Sequence, residues 1–211
     1  MSERPENDER SGELSLERTA AFLDAVVAIA LTLLILPLMD SVTDLTGDDA
    51  MTASEWFAAH TTQLQSFVTS FVLILLFWVI HHQLFRHVRT VTRPLVWMLG
   101  AWLLTIVWLP VASALSGVTH DDTVARGVYI GSLMLVAIVS LGIRLYLRAH
   151  PALIDESDHD IMWNIAVDAS MIILFGVALV LAVVFPAVGY WSLLVMVGTG
   201  VVQRLLRRMF R

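Results

Sequence analysis

The sequence contains no cysteine and no lysine, and its charged residues are few. Without cysteine the chain has no disulfides, no thiolate metal site and no cysteine nucleophile, so its redox compartment stays undefined. All 13 basic residues are arginine, a bias that we attribute to genome composition rather than function. Charged residues make up 15% of the 211 positions and hydrophobic residues 57%. This composition is typical of an integral membrane protein.

Motifs of common enzyme classes are also missing. The sequence has no nucleophile elbow, no His-Glu-x-x-His and no glycine-rich phosphate loop. The pair His81 and His82 lacks a carboxylate three or four positions on that would complete a metal site. We therefore expect no enzymatic activity, no cofactor, no resident metal and no nucleic-acid partner. No internal repeat is visible, which weakens the case for a transporter built from inverted halves.

Six apolar segments approach or exceed the roughly 20 residues that a spanning helix needs. The acidic, polar segment 1–17 predicts a disordered tail rather than a signal peptide, and 204–211 predicts a basic tail. The sequence thus predicts an all-α polytopic membrane protein with a transmembrane domain over 18–203, although five crossings are possible if the short last segment is re-entrant. The predicted spans are 18–39, 64–85, 94–115, 124–147, 161–185 and 187–203.

The arginines alternate with acidic residues along the connections between these spans. The even-numbered connections and the C-terminus are basic, whereas the connections after the first and third spans are acidic. Because cytoplasmic loops carry the excess of positive charge, both termini are predicted to be cytoplasmic. The basic positions are Arg86, Arg89, Arg93, Arg144, Arg148, Arg204, Arg207, Arg208 and Arg211.

Asp24 is an ionisable residue inside the first span, where it needs a partner or a function. Arg18 lies about 9 Å below it along the helix and about 120° around it, so the partner is expected on another helix. The second span reaches the same depth with Trp78, His81 and His82, which supply N–H donors. We expect an inner-leaflet polar cluster that also includes Arg144, Asn164 and Asp168. Such a cluster either stabilises helix contacts or relays protons between Asp and His.

A heptad-spaced seam follows another face of the first span. Asp24 lies outside the arc formed by its aliphatic members. The seam either packs one helix on another or, repeated around an axis by several subunits, forms a hydrophobic constriction that gates by dewetting. The residues alone leave both interpretations open. The seam consists of Arg18, Phe22, Ala25, Ile29, Thr32 and Leu36, with Leu33 beside it.

The first two spans resemble the prokaryotic relatives of the lysosomal potassium channel called transmembrane protein 175. Arg18, Phe22 and Asp24 match that family's Arg-x-x-x-Phe-Ser-Asp-Gly motif, and Thr-Leu-Leu follows at 32–34. Trp78, with the two histidines after it, matches Trp-x-x-His-His at the end of the second span. Leu23 replaces the usual Ser and Ala25 the usual Gly, and both changes could alter gating.

The resemblance implies a homotetrameric, potassium-permeable channel in the prokaryotic cytoplasmic membrane. Such channels lack the Thr-Val-Gly-Tyr-Gly filter, and this sequence has no such string. In that family the first helix lines the pore, which makes Ile29 the narrow point, with Leu33 and Leu36 farther out and Thr32 as a selectivity hydroxyl. The motif residues, with Trp78, His81 and His82, are expected to support the inner end of this helix. Potassium is expected only as a transient permeant.

Acidic residues follow the first span. In several copies, Asp40 and Asp44 could concentrate cations at the outer mouth, or they simply belong to a solvated loop. The alternative function is a proton-coupled transporter or proton leak that uses Asp24 with His81 or His82.

Overall fold

The computed structural model describes residues 15–45, 51–118, 122–155 and 158–184. The predicted sixth span, most of the N-terminal tail and the C-terminal tail lie outside these ranges. Within them the chain is helical, apart from connections and one isolated bridge between Val88 and Ile154. The α-helices are α1 Leu16–Leu33, α2 Leu36–Ser41, α3 Ala53–Ala59, α4 Thr61–Phe85, α5 Arg93–Val118, α6 Thr123–Ala149 and α7 Asp158–Val184.

Five helical segments in the described ranges are long and apolar enough to cross a membrane. They coincide with the first five predicted spans, and the all-α, multi-pass class is confirmed. A total of six spans and the cytoplasmic placement of both termini remain predictions. The five segments are Leu16–Ser41, Thr61–Phe85, Arg93–Val118, Thr123–Ala149 and Asp160–Val184.

The first span is broken, whereas the sequence predicted one continuous helix over 18–39. α1 ends at Leu33, and α2 begins at Leu36 after a two-residue turn. Pro37 explains the break, because proline has no N–H to donate to the carbonyl of Leu33 four residues earlier. The N–H groups of Leu38 and Met39 both donate to the carbonyl of Ile35, at 3.1 and 3.0 Å. Leu36 therefore lies beyond a break that separates it from Ile29.

A short helix, α3, precedes the second span and was not predicted. Its start is fixed by a capping box in which the Thr52 hydroxyl accepts from the Glu55 N–H while the Glu55 carboxylate accepts from the Thr52 N–H. Trp56 is buried and donates from Nε1 to the carbonyl of Ser41 at 2.9 Å. α3 is thereby tied to the end of α2.

The helices pack in a chain of neighbours. α1 contacts α4 and α5, α5 contacts α6, and α6 contacts α7. The side chains of Trp102, Tyr129 and Phe175 are fully buried between them. One face of α1 is thus fixed to the bundle, and its other face is exposed in the part of the chain that the structure describes.

Candidate pore-lining face and its anchors

The face of the first span that packs on the bundle is made of small and aliphatic side chains. Their spacing of three or four residues places them on one side of a helix. Each is at most 5% exposed, so this stripe fixes the rotation of the first span against α4 and α5. The stripe consists of Leu23, Val27, Ala30, Leu34 and Leu38.

The predicted seam lies on the opposite face. Ile29 is 58% exposed, Leu36 51% and Leu33 38%, although all three are large hydrophobic residues. Arg18, Phe22, Ala25 and Thr32 are exposed as well. The packing of α1 therefore turns the whole seam away from the core of its own subunit.

The Thr32 hydroxyl has a defined orientation. It donates its hydrogen to the carbonyl of Ile29 at 2.7 Å. Because the hydrogen is engaged within the helix, the lone pairs of the oxygen remain available as acceptors on this exposed face.

Asp24 contacts the second span at the depth that the sequence predicted. Trp78 donates from Nε1 to Asp24 Oδ1 at 2.7 Å. His82 Nδ1 lies 3.8 Å from the same oxygen, and the imidazole and the carboxylate are both partly exposed. The Trp78 and His82 rings are themselves neighbours, with centroids 5.2 Å apart. One carboxylate thus joins α1 to two residues of α4.

His81 does not join this group. Its ring is buried and stacks on Trp102 of α5, with ring centroids 3.8 Å apart. Adjacent helical residues point about 100° apart, so His81 and His82 face different neighbours. His81 Nε2 has no hydrogen-bond partner among the described residues. The structure therefore separates His81 from Asp24, contrary to the expected cluster.

Arg144 and Asp168 form a second, separate polar contact. Arg144 Nε donates to Asp168 Oδ2 at 2.7 Å, and the two side chains are 4% and 2% exposed. The pair joins α6 to α7 inside the bundle. Two direct contacts among the residues of the expected inner cluster are therefore present, the one between Asp24 and α4 and this ion pair.

At the other end of the first span, Asp40 is exposed near the end of α2. Asp44 lies in the 3-10 turn Val42–Leu45, and its side chain is outside the described part of the chain. In α3, hydrogen bonds from the backbone and hydroxyl of Thr52 lower the pKa of Glu55 below its ordinary value. Across the described ranges, no three carboxylates or histidines come together as a metal site would require.

A chain of hydroxyl groups inside the bundle was missed at the sequence level. Ser66 Oγ lies 3.2 Å from Ser113 Oγ, which lies 2.7 Å from Ser70 Oγ, and that hydroxyl lies 2.8 Å from Tyr129 Oη. The available signal was the four-residue spacing of Ser66 and Ser70 in an apolar helix, because buried hydroxyls at membrane depth need partners.

Comparison with known proteins finds one matching family. Residues 18–110 match the family described as endosomal/lysosomal potassium channel TMEM175. A potassium channel of Chamaesiphon minutus is 32% identical over 145 residues, which is 66% of each chain. The chain resembles the TMEM175 family. A potassium channel of Streptomyces collinus is 36% identical over 126 residues, which is 57% of each chain. This chain therefore spans less than two thirds of the length of both bacterial relatives.

Animal TMEM175 relatives carry a different name. The zebrafish protein, called an endosomal/lysosomal proton channel, is 24% identical over 146 residues, which is 69% of this chain and 28% of its own. The crystal structure of a lysosomal potassium-selective channel TMEM175 homologue from Chamaesiphon minutus matches with a TM-score of 0.70 at 23% identity. The match covers 93% of this chain and 98% of that one, and it indicates a shared fold.

Proposed function

We propose that this chain is the subunit of a potassium-permeable cation channel, a homotetramer with α1 of each copy around a central pore. Six spans, cytoplasmic termini and a location in the prokaryotic cytoplasmic membrane belong to this proposal. The observation that carries it is the orientation of α1, whose seam of Ile29, Leu33 and Leu36 faces away from its own subunit. The names of the two bacterial relatives support potassium as the permeant ion.

Aliphatic rings from four copies form the constriction, with Ile29 as its narrow point. Hydrophobic constrictions of this kind gate by dewetting and need no carbonyl filter. Thr32 lies between Ile29 and Leu33, and its hydroxyl oxygen is held ready to accept because its hydrogen is bound to the Ile29 carbonyl. Four such oxygens around the axis stabilise a cation that has lost part of its hydration shell.

Charged residues flank the constriction on both sides. Asp40 and Asp44 concentrate cations at the outer mouth through their negative potential. Asp24 takes no direct part in conduction, because it is bound to Trp78 on α4, away from the seam. Phe22 and Arg18 remain on the seam at the inner end, where Phe22 is 62% exposed.

Potassium flux into liposomes tests the constriction. Ile29→Ala shortens the side chain at the narrow point and should raise potassium flux several-fold, whereas Thr32→Val removes the oxygen at constant volume and should lower the preference for potassium over sodium. Ile173→Ala in α7 is the matched control, since Ile173 is 65% exposed and receives the same substitution. Equal flux in Ile29→Ala and Ile173→Ala would refute the pore assignment.

Proton transport is the second candidate. The animal relatives are named proton channels, and Asp24 with His82 offers two titratable groups whose nearest atoms are 3.8 Å apart. This candidate requires that Asp24→Asn and His82→Gln each abolish acidification of liposomes under a pH gradient, while His87→Gln, an exposed histidine near the end of α4, changes nothing. Proton flux that persists in both variants would exclude this route.

A further inference from the structure

A crevice lies beside the break in the first span, on the packed side of the helix rather than on the seam. It has room for about one water molecule. Its wall is mixed, because the break contributes apolar side chains whereas α4 and α5 contribute polar ones. The lining residues that matter are Leu34, Pro37, Gln63, Ser66, Ser113 and Gly117.

One polar side chain that lines this crevice lacks a partner among the described residues. Gln63 Oε1 is buried and accepts no hydrogen bond from any described residue. If the amide were turned over, its NH₂ group would occupy the same place and would equally need a partner. A buried side-chain oxygen left without a donor is destabilising, so such groups in native proteins are usually bonded to protein or water.

The break in the helix supplies further acceptors at the same place. Pro37 leaves the Leu33 carbonyl without its helical donor. The Leu38 N–H, which would donate to Leu34 in an unbroken helix, donates to Ile35 instead. Leu34 is buried and lines the crevice, so its carbonyl has little access to bulk water.

We propose that the crevice is a binding site for one ordered water molecule that donates to Gln63 Oε1 and to a carbonyl freed at the break. Proline breaks in spanning helices are tolerated where hydroxyl side chains and ordered waters satisfy the freed backbone groups. Ser66 and Ser113, at one end of the hydroxyl chain, line the same crevice. The water then links the break to α4 by hydrogen bonds. This proposal does not depend on which ion the protein conducts.

A high-resolution structure of the full-length protein in lipid tests the site directly. We expect density for one water about 2.7–3.2 Å from Gln63 Oε1, and its loss in Gln63→Leu. A dry crevice, an acyl chain end in it, or a Gln63 amide bonded to a protein group would overturn the proposal.

Substitutions at Gly117 test it without a structure. A Cβ there would lie 3.5 Å from Gln63 Cα and 3.6 Å from Ser66 Cβ, which is ordinary contact, so the backbone accepts a side chain. Gly117→Ala displaces the water and offers no donor, whereas the hydroxyl of Gly117→Ser can replace the donor. We expect a lower melting temperature for Gly117→Ala than for Gly117→Ser, although alanine is the better helix former.

The control is Gly100→Ala in the same helix, where an added Cβ meets nothing within 4 Å. Gly100→Ala should leave the melting temperature unchanged or raise it. If Gly117→Ala stabilises as much as Gly100→Ala and more than Gly117→Ser, the crevice holds no water that matters for the fold.

Discussion

A single carboxylate, that of Glu55, fixes the start of α3 at the level of individual residues. It accepts from the backbone N–H and the hydroxyl of Thr52, each at 2.8 Å. These bonds favour the charged form and lower the pKa of Glu55 in the folded protein. The stability that Glu55 contributes is therefore fully present above its unfolded pKa and is lost as the pH falls through its lower folded pKa.

We predict that Thr52→Ala raises the pKa of Glu55 part of the way toward its ordinary value, because the backbone N–H donor stays and the hydroxyl donor is removed. NMR titration of the Glu55 side chain in the two proteins measures the change. Thr61→Ala, which removes an exposed hydroxyl bonded to the α3 carbonyls of Phe57 and Ala58, is the control and should leave this titration where it is. An unchanged Glu55 titration in Thr52→Ala would contradict the capping-box account.

For single residues, the depth of a side chain in the membrane could be predicted from the sequence, but the helix toward which the side chain points could not. The rise per residue placed Asp24 level with Trp78, and a hydrogen bond joins the two. His81 and His82 were indistinguishable, because the side of α4 that faces α1 depends on the packing of the bundle. The stacking of His81 on Trp102 has no counterpart in the sequence pattern.

The buried ion pair between Arg144 and Asp168 stabilises the contact between α6 and α7. Since both side chains are buried, removing one charge leaves the other without compensation, which typically costs about 3–5 kcal/mol. We predict that Asp168→Leu and Arg144→Met each lower the thermal stability strongly. The double variant should be less destabilised than the sum of the single variants, as a double-mutant cycle by thermal unfolding will show.

The pair Arg89 and Asp155 is the matched control for this cycle. Its two side chains are 59% and 72% exposed, although the atoms approach to 2.8 Å. Exposed pairs contribute about 0–1 kcal/mol, so Arg89→Gln should change the stability little. Additive losses in the buried cycle would mean that Arg144 and Asp168 act independently.

Long helices could be predicted, whereas short ones could not. Length and hydropathy located five spans, since a spanning helix requires a long apolar run whatever its neighbours are. Pro37 is visible in the sequence, but an apolar segment long enough to span a membrane does not show whether its proline breaks the helix. α3 has only seven residues, and its capping signal at Thr52 and Glu55 follows an acidic loop that has no apolar run.

The arrangement of subunits is the least predictable feature at the scale of the whole molecule. A seam that faces lipid and a seam that faces other copies are both apolar, because helices in a membrane gain no hydrophobic energy from meeting each other. The structure of one subunit shows that Ile29 is exposed. It does not show the axis around which the seams of several copies would meet.

Cross-linking tests whether the seams of several copies meet. Because the sequence contains no cysteine, an introduced cysteine is the only thiol that can react. We predict that Ile29→Cys treated with a short bis-maleimide gives covalent dimers, because in the proposed tetramer the seams of neighbouring copies meet around the pore. Ile173→Cys, equally exposed but on α7, should give few or none. Native mass measurement of the same samples should find four copies. A monomeric mass would place the seam against lipid and remove the basis for a pore at Ile29 and Thr32, since one subunit has no axis.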